Sequence, residues 1–294
     1  MLISRQNLTI VIVTFESDAV IHKCIRSIDK DIKIIVVENS NNTQFKEELE
    51  SSYKNVFCIL SLDNLGMGAG NNIGINKAKT DFVLILNPDV ILEQTTINEL
   101  IVASQKVSDF AILAPISSDI NYPNYKLDKN KKIIPQQKIP FKVKSVDGFA
   151  MLFNKKKLDK IIYENYFDEN FFMYLENDDL CKRIVDAKES IYIAPISKIK
   201  HLGGKAVSAK YKNEVELARN WHWIWSKFYF NKKHYGYSIA FIKGFPKLLS
   251  NLIKYIFYSL VQNKNKQKIY FNRASGFISA AVNKKSWYRP NIDF

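Results

Sequence analysis

The side chains best suited to chemistry sit in short polar clusters directly after apolar runs. Asn87-Pro88-Asp89 follows FVLIL. A carboxylate at the end of a buried strand can reach a divalent cation that bridges two phosphates, because Mg²⁺ and Mn²⁺ take hard oxygen ligands and share them with substrate. The same tripeptide is also good turn chemistry. Residues 63–74, DNLGMGAGNNIG, alternate Gly66, Gly68 and Gly70, which lets backbone approach a ligand ahead of a helix N-terminus. No Gly-Lys-Ser/Thr follows, and a dinucleotide fingerprint belongs on the first βα turn, here Thr14-Phe15-Glu16-Ser17. Glu38-Asn39-Ser40 offers an acid to a ribose or base edge, or is an ordinary polar loop. In FFMYLENDDLCKR (171–183), Glu176, Asp178 and Asp179 repel one another, which calls for a metal, a sugar hydroxyl or a helix start nearby. The aromatics before them suit stacking on a sugar. His201, beside Gly203 and Gly204, is either a metal ligand or a structural histidine.

These clusters need elements to hold them. Leu8–Thr14, Ile32–Val37, Val56–Leu60 and Phe82–Leu86 read as strands buried on both faces, with helical spacing over Ala19–Ile28 and Asn71–Lys79. Such a βαβαβ series implies a doubly wound α/β sheet whose ligands lie at the carboxyl ends of the strands. Asp119–Lys142, with its Pro, Asn and Lys, reads as a long surface excursion.

Hydrophobic residues make up 47% of the 294, enough to bury a large core. Three widely spaced cysteines fit a reducing cytoplasm rather than a disulfide framework or zinc site. Met1–Gln6 is short and mixed and Leu8–Phe15 is strand-length, so no secretory signal is expected. The net charge of +14 is segregated: from Lys198 onward 19 Lys and Arg face three acids. Such a tail attracts polyanions, and its richness in Trp, Tyr, Phe and Ile speaks for a folded or membrane-seated segment. Ser238–Val261 is interrupted by Lys243, Pro246, Lys247 and Lys254, which argues against a span. As a helix it places Lys247, Asn251, Lys254 and Tyr258 on one face and Leu249, Leu252, Ile253, Ile256 and Leu260 on the other. It lies either at a membrane interface or on the protein's own core, and the basic surroundings favour the membrane.

Taken in order, TIVIVTFES, VVENSNN, NLGMGAGNNIGI, LILNPDV, VDGFAMLF, FFMYLENDDLCKRI and HLGG resemble the family-2 glycosyltransferases of GT-A fold, nearest the rhamnosyltransferase-like branch. The resemblance covers residues 8–205, and RASGFISAAVNKKSWYRP looks like that branch's tail. It implies a catalytic domain over 1–205, a Rossmann-like, mainly parallel sheet, and a basic helical extension over 206–294. By matching position, Asp89 is the metal-binding acid of the DXD-type motif, whose first acid is here Asn87, and His201 closes over the metal or diphosphate. Thr14, Glu16 and Glu38 fall where the family holds base and ribose, with Glu38 replacing the usual Asp. Asn64, Gly66, Gly68 and Gly70 line the nucleotide pocket, and Asp147 approaches the donor sugar. The family's Glu-Asp-x-Asp-Leu is here Glu176-Asn177-Asp178-Asp179, so the base is assigned to Glu176 first, Asp179 second and Asp178 third.

The resemblance further implies inverting transfer with Mg²⁺ or Mn²⁺, from a nucleotide sugar to a glycan or polyprenyl-linked acceptor. dTDP-L-rhamnose is the expected donor, cell-surface polysaccharide the product, and the cytoplasmic membrane's inner face the location. Three other readings compete. A sugar nucleotidyltransferase should carry its Gly-rich loop at the first strand. A nucleic-acid binder leaves the acidic cluster without a role. A catalytically inactive sugar-nucleotide- or glycan-binding relative is suggested by Asn87 and Asn177.

Overall fold

The computed structural model describes residues 2–107, 109–119, 121–128, 137–204, 207 and 209–290. Part of the excursion expected over 119–142, and the expected boundary at 205/206, lie outside the described residues. The chain forms two compact units, Met1–Asp168 with Asn177–Ser208, and Glu169–Glu176 with Ala209–Phe294.

The first unit alternates strands and helices: β1 (Leu8–Thr14), α1 (Asp18–Arg26), β2 (Lys33–Glu38), α2 (Thr43–Ser52), β3 (Val56–Leu60), α3 (Met67–Lys77), β4 (Phe82–Leu86), β5 (Val90–Leu92) and α4 (Thr96–Lys106). There follow β6 (Ile112–Ser117), β7 (Tyr125–Lys126), β8 (Phe141–Val143), β9 (Ser145–Val146), β10 (Ala150–Asn154), α5 (Lys155–Leu158), α6 (Glu176–Asp186), which begins on the last residue of the other unit's first segment, and β11 (Ile191–His201). Among the described residues a nine-stranded sheet runs β3-β2-β1-β4-β10-β6-β11-β5, with β8 also on β11. It is parallel from β3 to β4; β10 then pairs antiparallel with both neighbours. The chain winds outward from β1 to β3 and returns to β4 on the other side of β1. That reversal is a topological switch point, and the crevice at the carboxyl ends of β1 and β4 is where such sheets take ligands.

Alternation along the strands fills a core on each face. Ile10 and Ile12 pack with Ile21, Phe45 and Leu100, whereas Val11 packs with Ile75, Leu180 and Ile184. Each fully buried aliphatic side chain contributes about 1.5–3 kcal/mol.

The helix expected over Asn71–Lys79 begins earlier, at Met67, so Gly68 and Gly70 lie inside it. A Cβ on Gly70 would stand 2.8 Å from Val13 Cγ1, and one on Gly74 would stand 2.4 Å from Val11 Cγ1. These two glycines let α3 press on β1. Gly70 thus has a packing reason to be glycine.

The second unit is helical: α7 (Lys212–Tyr235), α8 (Tyr237–Leu260) and α9 (Lys264–Ala281). Trp221, Trp225, Phe228 and Phe277 form its core. At Gly276 a Cβ would meet the Trp221 carbonyl oxygen at 2.5 Å, so α7 and α9 approach closely there. Among the described residues no helix is long and apolar enough to cross a membrane.

The amphipathic pattern of α8 is the one expected, but it faces outward. Leu249, Leu252, Ile253, Ile256 and Leu260 are exposed, Ile253 at 66% and Leu260 at 78%. On the polar face Asn251 is buried, Tyr258 stacks on Tyr270 of α9 at 5.4 Å, and the Lys254 ammonium lies 5.4 Å from that same ring. Packing on the protein's own core is therefore not what the apolar face does among the described residues.

Candidate functional site

Three polar groups are built at strand ends. The first joins β1, β2 and α3. Thr14 and Glu38 end adjacent parallel strands in register, and the Thr14 hydroxyl donates to Glu38 Oε2. Glu38 Oε1 accepts from the Ser40 amide at 2.6 Å and from the Ser40 hydroxyl. Burial pushes the Glu38 carboxyl above its ordinary value, while the hydrogen bonds from Ser40 and Thr14 oppose this. Its carboxylate is thus already engaged by three donors of the chain, which leaves acceptor capacity on Oε2 for one further donor.

Asn39, to which the sequence motifs assign no role, is the hub. Its amide donates to the Gly66 carbonyl at 3.0 Å, its side-chain oxygen accepts from Ser61 Oγ at 2.9 Å, and its backbone N–H donates to the Thr14 carbonyl. Asn64 Oδ1 accepts from the Gly66 amide at 3.1 Å, and Gly66 holds φ 83°, so Asn64 shapes the turn into α3. Glu16 holds φ 51° just after β1, a conformation that costs a non-glycine residue about 1–2 kcal/mol and is found at ligand sites. Asn71, in the first turns of α3, keeps a buried side-chain oxygen without a hydrogen-bond partner.

The second group follows β4. Asn87 is fixed by its backbone N–H donating to the Phe149 carbonyl at 2.9 Å. Asp89 is 2% exposed. His201 ends β11 opposite Val90, which brings its Nε2 to 3.3 Å from Asp89 Oδ1. The Phe149 ring stacks on the imidazole at 4.1 Å and fixes its plane. The structure therefore joins two residues 112 positions apart that the sequence names separately as metal ligands. Asn87 Oδ1 is buried and has no hydrogen-bond partner, which adds a neutral oxygen donor to the same motif. No group of three or more His, Cys, Asp or Glu that could hold a metal occurs among the described residues. The set suits a cation that keeps most of its coordination for phosphate oxygens rather than one caged by protein.

The third group lies at α6. Asn177 Nδ2 donates to the Val146 carbonyl at 2.9 Å, and a Cβ on Gly148 would lie 3.2 Å from the Asn177 Cβ. Asp178 accepts from Lys126 Nζ at 2.8 Å. Asp147 lies in the electrostatic reach of Lys126, Asp178 and His201, and burial raises its carboxyl above the ordinary value despite the two cationic partners. Asp179, assigned second as base, is paired within its own helix. It is fully buried and takes Arg183 Nε at 2.9 Å, while Arg183 also donates to the Tyr166 carbonyl. That pairing ties α6 to residue 166.

Glu176 belongs to the helical unit. It is buried at 7% exposure and follows two non-glycine residues of left-handed backbone, Tyr174 at φ 70° and Leu175 at φ 67°. Two such residues in succession cost about 1–2 kcal/mol each and persist only where the surroundings impose them. Tyr174 is pushed above its ordinary pKa by burial; Arg219 opposes the shift and Glu176 adds to it.

A family model described as glycosyl transferase family 2 matches residues 9–162. The low-salt glycan biosynthesis hexosyltransferase Agl10 of Haloferax volcanii is 27% identical over 195 residues, 60% of this chain and 61% of that protein. Rhamnosyltransferase WbbL of Escherichia coli is 27% identical over 214 residues, 63% of this chain and 80% of that protein. The chain thus matches only about three-fifths of the length of the haloarchaeal relative. Among solved structures, GalNAc-T7, crystallised with UDP, GalNAc and Mn²⁺, superposes with a TM-score of 0.55 at 15% identity, over 73% of this chain and 50% of that one. That likeness is one of fold.

Proposed function

The chain belongs to glycosyl transferase family 2, and from that premise we propose that it transfers a sugar from a nucleotide donor to a glycan or lipid-linked glycan with inversion. The donor we favour is dTDP-L-rhamnose, in keeping with one of the two relatives. The observation that carries the reading is the Asp89–His201 pair at the switch point. Asp89, His201 and Asn87 would hold Mg²⁺ or Mn²⁺, which neutralises charge gathering on the departing nucleoside diphosphate. Thr14, Asn39 and the α3 N-terminus frame the nucleotide, the free N–H groups of the helix facing its phosphates. Asp147 meets the donor sugar. Glu176 takes the proton of the acceptor hydroxyl, which attacks the anomeric carbon from the side opposite the leaving group.

The outward apolar face of α8, among the lysines of the last third, supports a seat on an anionic leaflet, where a lipid-linked acceptor would be met. Asn177, bound to the Val146 carbonyl, favours a second reading as an inactive donor-binding relative. A nucleotide-sugar screen for metal-dependent thermal stabilisation, followed by donor turnover, tests both. Binding and turnover with Mn²⁺, both lost in Asp89→Asn, are expected; binding without turnover selects the inactive reading. Wild-type-like metal-dependent binding in Asp89→Asn removes the metal assignment.

A further inference from the structure

Glu176 follows an irregular segment, residues 169–175, that belongs to the helical unit. α7 grips this segment. His222, Ser226 and Tyr229 share one face of that helix, at spacings of four and three. The His222 imidazole meets the Phe172 ring at 4.7 Å, Ser226 Oγ donates to the Met173 carbonyl at 2.7 Å, and the Tyr229 ring meets Phe171 edge-on at 4.9 Å. The stretch after α9 grips it too. Ser286 Oγ, 116 positions away in the chain, donates to the Asn170 carbonyl at 3.0 Å. The Arg289 guanidinium stands 3.7 Å from the centre of the Phe172 ring, at stacking distance. Arg289 Nη1 also donates to the Ser286 carbonyl at 2.8 Å, which ties these two residues together. His222 links both grips: it is fully buried, and its Nε2 lies 2.7 Å from the Tyr288 carbonyl. A carbonyl only accepts, so Nε2 carries the proton. Burial lowers the His222 pKa to about 4, so the ring is uncharged at neutral pH.

The two left-handed residues Tyr174 and Leu175 stand directly before Glu176. Such backbone persists only where its surroundings over-determine it. The anchors lie just ahead of it, at the carbonyls of 170 and 173 and the rings of 171 and 172. A base must stand within hydrogen-bond reach of the hydroxyl it serves, and a misplacement of about 1 Å can cost about 10²-fold in rate. We infer that Ser286 and Arg289 form a strap that sets where Glu176 stands, and so act as positioning residues for the transfer reaction. Ser286 fixes the main chain at 170 and Arg289 fixes the ring of Phe172, so the turn through Tyr174 and Leu175 delivers the carboxylate to one place. The inference rests on Glu176 being the base. It gives the end of the basic third a part in the chemistry that its charge does not explain.

Two readouts on the full chain test the strap. Hydrogen exchange across residues 169–176 should quicken by about tenfold or more in Arg289→Ala, while nucleoside diphosphate binding with Mn²⁺ stays unchanged and shows that the variant has folded. With dTDP-L-rhamnose and Mn²⁺, kcat should fall by about tenfold or more at nearly constant KM for the donor. Arg289→Lys keeps the charge but not the flat guanidinium, so it should recover only part of the loss. Ser286→Ala should show a smaller loss of the same kind. The deciding comparison is a double-variant cycle. A residue that acts through Glu176 has nothing left to lose once the base is gone, so Glu176→Gln with Arg289→Ala should be no slower than Glu176→Gln alone. Equal fractional losses of kcat in both backgrounds, or exchange in Arg289→Ala that matches the wild type, overturn the strap. Wild-type kcat in Glu176→Gln would instead strike the base, and a wild type inactive on this donor would strike the proposed donor. In either case the exchange readout still decides whether Arg289 holds the segment.

Discussion

The sheet unit and the helical unit treat apolar residues in opposite ways. In β1 and β4 every aliphatic run disappears into one of two cores. In α8 the aliphatic face stands in the open while Asn251 is buried and Tyr258 and Lys254 meet the α9 ring of Tyr270. Amphipathic periodicity identifies which residues share a face, but not what that face meets. An outward stripe of Ile and Leu beside lysines is a surface for something else, since large exposed apolar patches are uncommon on monomers.

The difference is sharpest at the start of α6, where neighbouring acids belong to different units. Glu176→Gln should lower kcat by about 10²–10⁴ with little change in stability or donor affinity, the signature of lost proton transfer. Asp179→Asn should do the reverse. Removing the buried Asp179 charge from the partly exposed Arg183 should destabilise the fold by about 1–3 kcal/mol in chemical denaturation. An Asp179→Asn protein of wild-type stability that has lost only kcat would return the base to Asp179.

A smaller contrast sets α3 against α8. Gly74→Ala drives a methyl into Val11, and overpacking of that kind costs about 1–3 kcal/mol. Ile253→Ser with Ile256→Ser, at 66% and 57% exposure, should leave stability within about 0.5 kcal/mol per site while abolishing binding to vesicles of acidic lipid. Equal destabilisation by both sets would erase the distinction between the units. Vesicle binding that ignores salt, or neutral vesicles bound as well as acidic ones, would remove the anionic leaflet.

The smallest effect is a change in pH dependence. The folded-state pKa of Glu38 lies above its ordinary 4.5 because of burial. Its contribution to stability is therefore complete below about 4.5 and is lost as pH rises through the higher folded value. Glu38→Gln cannot ionise, so its stability relative to wild type should improve between pH 4 and pH 7. A constant difference across that window would mean that the hydrogen bonds from Ser40 and Thr14 fully offset burial.

Much of the donor side is legible in the amino-acid order. β1 and β3 run over the residues expected, because a β-branched run bounded by polar clusters has few other ways to bury itself. Asp89 can be named because a strand end is a local feature. Its meeting with His201 cannot be read by pattern alone: it depends on β5 pairing with β11 across the sheet. Nor does local spacing say that Asp179 is the acid that takes Arg183, or that Gly70 packs on Val13. The amino-acid order determined which residues are apolar, charged or hinged and how they recur along each element. Tertiary structure alone decided what each face and carboxylate meets, because burial and pairing depend on chain segments that come together only in the fold.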